Sequence, residues 1–221
     1  MTGITAPDHP LTPAQAWRAL LDGNARFYSG AVEHPSQSID RRTQVSQSQH
    51  PFAVLFGCSD SRVAAEIIFD RGLGDMFVVR TAGHVVDTTV IGSIEYGVEV
   101  LGAPLIVVLG HDSCGAVAAA RDALVTGLMP SGMIRAVVDR VIPSIVTRGP
   151  ANGSDGEGFD LEVPGPAELG REHVRGTVHM LSNYSGALAT AVQQGRCAIV
   201  GAEYSLADGR VNAVETVGQV G

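Results

Sequence analysis

Little in this sequence suits a disulfide-linked, nucleic-acid-binding or membrane protein. Its 3 cysteines are an odd number, which does not make a closed set of disulfides, so the thiols are free for other chemistry. Asp and Glu (23) outnumber Lys and Arg (15), and the net charge of −8 disfavours binding to nucleic acid or to an anionic membrane. No apolar run approaches the roughly 18 residues of a membrane span. Residues 1–10 lack the basic and apolar parts of a secretory signal, and with free thiols this predicts a cytoplasmic protein.

The composition that remains is that of a single folded α/β domain. Hydrophobic residues make up 45% and charged residues 17% of 221 residues, which is enough for one sizeable core. A first helix is predicted after Thr12, which can cap it, with Pro13 in its first turn. Short apolar runs predict strands at 52–56, 76–79, 105–109, 198–206 and 211–217, and helical periodicity predicts helices at 64–69, 88–101, 116–125 and 167–194.

This alternation predicts a central, mostly parallel β-sheet with flanking helices and one antiparallel edge strand, which follows the Asp208-Gly209 turn. We divide the domain into four parts along the chain. They are an N-terminal helical arm (1–50), a core that carries the polar motifs (51–147), a flexible loop rich in Gly and Pro (148–166), and a C-terminal helix with strands (167–221).

Two polar segments each follow a predicted buried strand directly. The first begins with Cys58, and the second contains His111 and Cys114 and opens a helix. Since ligands of open parallel sheets bind beyond the carboxyl ends of the strands, the two segments meet if their strands are neighbours. Two thiolates and one imidazole would suit a tetrahedral zinc with one open position. The residue types alone leave a zinc site and ordinary buried thiols both open; for Cys197 we adopt the latter interpretation.

Two other sites fit less well. A phosphate-binding loop of the Cys phosphatase type has five residues between its Cys and Arg, whereas three separate Cys58 from Arg62. No G-x-G-x-x-G stands between a predicted strand and a helix, so a dinucleotide site is also unsupported.

The same segments resemble the β-class carbonic anhydrases, whose marks are C-x-D-x-R and, some fifty residues later, H-x-x-C. Both motifs are present, as 58–62 and 111–114, and the likeness continues through 74–83, 93–96 and 110–115. It is strongest over about residues 12–147, and 34–40 and 57–85 look most like the mycobacterial type. The resemblance implies one zinc per chain, held by Cys58, His111 and Cys114. It also implies a homodimer that can pair into a homotetramer.

The resemblance further implies that a hydroxide on the zinc attacks CO2 and yields bicarbonate. Asp60, paired with Arg62, would orient the hydroxide, or would instead bind the zinc as a fourth ligand in a state without activity. Substrate-pocket positions match Gln49, Phe77, Tyr96 and Gly115, with Phe77 supplied by the neighbouring subunit. From the residues alone, Gln49 is a loop residue, and Phe77 and Tyr96 are core aromatics.

Some members of that family have an inhibitory bicarbonate site that uses a Trp, an Arg and a Tyr. Arg80 and Tyr204 match two of its positions, but Leu55 stands in place of the Trp, so we expect this regulation to be absent or weak. Two other functions remain open at this stage. One is a related zinc hydrolase of carbon disulfide or carbonyl sulfide, and the other is a non-catalytic zinc protein with four protein ligands.

Overall fold

A five-stranded β-sheet forms the centre of the computed structural model, which describes residues 10–148, 161–162 and 164–220. The sheet order is β2-β1-β3-β6-β7. Its strands are β1 (Ala53–Cys58), β2 (Met76–Thr81), β3 (Leu105–His111), β6 (Ala198–Tyr204) and β7 (Val211–Val217). The first four strands of that order are parallel, and β7 pairs with β6 in the antiparallel sense, which confirms the predicted sheet.

Helices cover both faces of this sheet. They are α1 (Pro13–Ser29), α2 (Ile39–Gln44), α3 (Ala65–Ile68), α4 (Thr88–Glu95), α5 (Gly115–Thr126), α6 (Ile134–Ile145), α7 (Pro166–Tyr184) and α8 (Gly186–Gln193). One core cluster lies under α1 and α3, and a second under α4, α7 and α8. A third packs α5 and α6 around the ends of β1 and β3. Among the described residues, no helix combines the length and hydropathy needed to cross a bilayer.

Helix α1 is fixed at both ends and anchored to the sheet. Thr12 and Gln15 form a reciprocal capping box, and Gly30 ends the helix in the left-handed conformation. The buried Asn24 amide donates to the carbonyls of Ile68 and Gly209, and its oxygen accepts from the Val211 N–H. The arm is therefore attached to the β6–β7 hairpin by hydrogen bonds as well as by apolar packing.

The structure corrects several predicted boundaries. The helical stretch after residue 88 is α-helical only to Glu95 and continues as a π-turn over Tyr96–Val100. The segment 167–194 is not one helix, because Ser185 ends α7 and caps α8 through Leu188 N–H. Helix α6 was not predicted at all. At the ends of the predicted loop, β4 (Thr147–Arg148) pairs with β5 (Leu161–Glu162), while 149–160 and 163 lie outside the described residues.

Candidate metal centre

Two sheet ends bring Cys58, His111 and Cys114 together. Strands β1 and β3 are parallel neighbours, with Gly57 level with Leu109, so Cys58 and His111 emerge at the same edge. Ser113 adopts a positive φ of 52°, and this tight turn folds Cys114 back beside His111. The two sulfurs and one imidazole nitrogen all lie within 4.8 Å of one another.

The His111 ring is oriented for a ligand. Its Nδ1 lies 2.7 Å from the Asp112 carbonyl oxygen, and a carbonyl only accepts, so Nδ1 carries the proton. The lone pair is then on Nε2, which is buried and has no hydrogen-bond partner among the described residues. A buried unpaired nitrogen facing two thiols is costly without a ligand and is satisfied by a soft metal such as zinc. The donor set therefore fits zinc.

The pKa values of the two thiols are shifted in opposite directions. A hydrogen bond from Cys114 is the largest influence that lowers the pKa of Cys58; burial opposes it, and contacts with His111 and the Asp60 and Gly83 N–H groups reinforce it. The Gly83 N–H lies 3.3 Å from the Cys58 sulfur. The same hydrogen bond raises the pKa of Cys114. Cys58 is thus the thiolate of the pair, and a bound cation would favour ionisation of both.

Asp60 and Arg62 form the pair that the sequence predicts at this edge. The Arg62 side chain donates from Nε to Oδ1 at 2.9 Å and from Nη2 to Oδ2 at 2.7 Å, and its backbone N–H adds a third bond at 2.9 Å. These bonds hold the pKa of Asp60 well below its usual range. Oδ2 lies 3.9 Å from His111 Nε2. The carboxylate is near the cluster but held by arginine, and its role as a fourth ligand remains a prediction.

Arg80 has a role that the sequence did not indicate. Its Nε donates to the Cys58 carbonyl at 2.8 Å, and its Nη2 donates to the Asp60 carbonyl at 2.7 Å. The guanidinium therefore bridges the backbone on both sides of the Cys58–Asp60 turn. The other two positions that match the family's inhibitory site, a regulation we expect to be absent or weak here, are buried, Leu55 at 1% and Tyr204 at 5% exposure. The register between β1 and β2 places Arg80 beside Gly57. The hydrogen bond from Arg80 to the Cys58 carbonyl follows from this pairing, which the sequence does not show.

The remaining predicted residues divide into two groups. Gly115 begins α5 directly after Cys114, and the backbone N–H groups of Val117 and Ala116 in this first turn partly offset the rise in the pKa of Cys114, as expected for a helix N-terminus near an anion. Cys197 is 1% exposed and directly precedes β6, in keeping with a core thiol.

Gln49, Phe77 and Tyr96 do not approach the cluster within one chain. Phe77 pairs with Val54, four positions before Cys58, which is about 13 Å at roughly 3.3 Å per residue. Tyr96 lies beside Phe77, with ring centroids 6.0 Å apart, and Gln49 precedes β1 at the amino edge. Tyr96 is 46% exposed, so its interpretation as a core aromatic is wrong.

A cavity of about 380 Å³ opens beside the cluster. His111 and Cys114 line it from the sheet edge, and α5 and α7 line it with Val117 and Leu169, while Glu203 adds a carboxylate. The loop that carries His111 and Cys114 thus has room for solvent or a small molecule on one side.

The family model described as carbonic anhydrase matches residues 53–211, which include every residue of the cluster. This chain belongs to the carbonic anhydrase family. It is 54% identical over 209 residues to a carbonic anhydrase of Mycolicibacterium smegmatis, covering 95% of this chain and 97% of the relative. It is 52% identical over 209 residues to carbonic anhydrase 2 of Mycobacterium tuberculosis, covering 95% and 96%.

Solved structures place the fold in the β class. A Coccomyxa β-carbonic anhydrase in complex with acetazolamide superposes with a TM-score of 0.65 at 23% identity, over 90% of this chain and 87% of the other. One of two tetrameric β-carbonic anhydrases of Sordaria macrospora gives a TM-score of 0.66 at 22% identity, over 90% and 95%. The likeness in fold spans nearly the whole chain.

Proposed function

We propose that this protein is a zinc enzyme that reversibly hydrates carbon dioxide to bicarbonate and a proton. The convergence of Cys58, His111 and Cys114 within 4.8 Å, in a chain of the carbonic anhydrase family, carries the proposal. Relatives of 52–54% identity over 95% of this chain have the name carbonic anhydrase. Zinc would supply Lewis-acid activation of water near neutral pH.

Net charge predicts the pH range of this activity. Two thiolates cancel the charge of Zn²⁺ and the imidazole is neutral, so the metal and its three ligands together carry no net charge. A centre with three neutral ligands keeps its +2 charge and acidifies water more strongly. We therefore expect turnover to rise with pH into the alkaline range.

Asp60 would serve as the orienting group at the reaction centre. Arg62 fixes both of its oxygens, so the carboxylate can accept a hydrogen bond from a neighbouring oxygen in one direction only. If the hydrogen bonds from Arg62 break, the Asp60 carboxylate is near enough to the cluster to become the fourth zinc ligand and to occupy the coordination position left for water. Arg62 would thus decide between an active and an inactive arrangement.

A second copy would complete the substrate pocket. Phe77, Tyr96 and Gln49 lie far from the cluster of their own chain, while β2 is an edge strand whose side chains are mostly half-buried. We propose a homodimer in which the partner's Phe77 forms an apolar wall beside the metal. The tetrameric Sordaria enzymes support a further pairing into a tetramer. We also propose a cytoplasmic location, on the free thiols of the described residues.

The alternative functions have weaker support. A structural zinc site has four protein ligands, and within the described residues the cluster has three. Hydrolysis of carbon disulfide or carbonyl sulfide would use the same three residues, but the close relatives are named for carbonic anhydrase activity.

The test is CO2 hydration measured across pH, with zinc content determined on the same preparation. We expect about one zinc per chain and activity that increases above neutral pH. Cys58→Ser is expected to lose zinc and activity together, whereas Cys197→Ala, a matched change at a thiol outside the cluster, retains both. A zinc-loaded wild-type protein without activity would refute the proposed reaction.

A further inference from the structure

A buried chain of hydrogen bonds leads from α6 to the metal centre. On α7, His173 is 2% exposed, and its Nε2 lies 2.6 Å from the Gly83 carbonyl oxygen. Its Nδ1 lies 2.5 Å from the Ser144 hydroxyl on α6. The N–H of the same Gly83 points at the Cys58 sulfur from 3.3 Å. Hydrogen bonds thus connect α6, α7 and the turn at Gly83, which are distant in sequence, to the sulfur of Cys58.

The direction of these bonds follows from what each group can do. The Gly83 carbonyl only accepts, so His173 Nε2 carries a proton. Burial lowers the pKa of His173, which keeps the ring neutral, so Nδ1 accepts from the Ser144 hydroxyl, whose one proton is shared with the Val141 carbonyl oxygen at 2.7 Å. The carbonyl and N–H of Gly83 belong to different peptide units. This series of hydrogen bonds therefore acts on Cys58 by fixing the position of Gly83, and not by polarising a single peptide group.

Two glycines allow this close arrangement. A Cβ on Gly83 would lie 2.6 Å from the Ala116 Cβ, and its φ of +62° is one that residues with side chains rarely adopt. A Cβ on Gly176, one turn after His173, would lie 2.7 Å from the Ser144 Cβ. Glycine at 176 therefore lets α7 approach α6 closely enough for His173 to reach Ser144.

His84 holds the His173 ring from the other side. The two rings are 4.1 Å apart between centroids, and Phe56 meets His84 edge-on at 6.2 Å. His84 is 2% exposed and adopts a positive φ of 40°. A non-glycine residue keeps that conformation only when its surroundings enforce it. The packed ring thus restrains both the His173 plane and the backbone that follows Gly83.

We propose that His173, oriented by Ser144, is a positioning residue that holds the Gly83 N–H on the Cys58 sulfur and so limits the charge that this thiolate donates to the metal. This inference rests on the proposed function in taking Cys58 as a zinc ligand. An N–H bond to a thiolate withdraws electron density from it. Less donation leaves zinc more electrophilic, as outer partners of metal ligands generally tune the metal.

The experiment uses the full chain loaded with Co²⁺, whose thiolate charge-transfer band reports sulfur donation directly. In His173→Ala we expect this band to move to longer wavelength, because the thiolate then donates more charge. We expect zinc affinity in a chelator competition to fall about 10- to 100-fold, because Gly83 no longer holds Cys58 in position for the metal. Ser144→Ala should shift both readouts in the same direction by less. His173→Gln, which restores an N–H donor, should recover part of the loss. Ser182→Ala is the matched control, because among the residues that the structure describes its hydroxyl bonds only to the Val178 carbonyl within α7.

The outcomes separate this inference from the proposed reaction. Band position and zinc affinity within twofold of wild type in a folded His173→Ala protein would overturn the positioning role. If that variant does not fold, Ser144→Ala decides: a shifted band supports the role, and an unchanged band with unchanged affinity overturns it. A wild-type protein that binds cobalt but does not hydrate CO2 refutes the reaction alone, and the band still tests His173. Failure of the wild type to bind either metal overturns both.

Discussion

The Arg62→Ala substitution tests whether activity depends on the orientation of the Asp60 carboxylate, because it removes the groups that orient the carboxylate but leaves it ionised. Three donors hold the Asp60 carboxylate, all from Arg62, and the substitution removes the two side-chain donors and leaves the backbone N–H. Because those side-chain bonds are the largest cause of the lowered pKa of Asp60, that pKa should rise towards its usual value of 3.8. This still lies about three units below neutral pH, so Asp60 stays ionised.

Activity should nevertheless fall substantially. Loss of a positioned acid–base group costs about 10²- to 10⁴-fold, and since one of the three donors remains we expect about 10²-fold in kcat at pH 8. The carboxylate, 3.9 Å from His111 Nε2 in the wild type, is then free to move onto the metal. The zinc content should not change, because no predicted zinc ligand among Cys58, His111 and Cys114 is altered.

The assay is stopped-flow CO2 hydration from pH 6.5 to 9, with zinc measured in each sample. Arg62→Lys is the informative companion, since it keeps the charge but not the planar fork, and it should resemble Arg62→Ala more than wild type. Arg121→Ala, an arginine at the rim of the cavity, controls for loss of positive charge near the site. Full activity in zinc-loaded Arg62→Ala would show that the carboxylate does not need this partner and would refute the reasoning.

Three further results are expected. Cys114→Ser should hold less than a tenth of the wild-type zinc after dialysis against a chelator; wild-type zinc content would exclude Cys114 as a ligand. Asn24→Ala removes three hydrogen bonds, two of them buried and one partly buried, and should lower the free energy of unfolding in urea by about 3 kcal/mol; a change below about 1 kcal/mol would contradict the anchoring of α1. Burial lowers the pKa of His84 far below 6.5, with His173 and His111 adding to this effect, so the unfolded chain binds the extra proton. Stability is therefore lost as pH falls below about 6.5, and unfolding in urea should show a smaller acid loss in His84→Phe than in wild type.

The sequence was sufficient for the parts of the fold that depend on local patterns. Buried strands appear as short apolar runs, and the cap at Thr12 and the Asp208-Gly209 turn are local chemistry, so the sheet class and the antiparallel edge could be predicted. Helix α6 was missed because its N-cap residue, Met133, supplies no side-chain cap and the helix contains Pro143. The break between α7 and α8 at Ser185 was missed because the helical pattern of apolar residues, with glycines in it, continues on both sides.

The site divides in the same way. Residue types and spacing left a zinc site at Cys58, His111 and Cys114 open, because the ends of two strands meet at one edge if the strands are neighbours, and the resemblance to the β-class carbonic anhydrases implied that site. Only the tertiary structure decided what surrounds them. The Arg80 bridge depends on the register of β1 against β2, and the bond from His173 to Gly83 depends on how closely α7 packs on α6. Such contacts join residues up to 90 positions apart, and no local pattern encodes the distance between them.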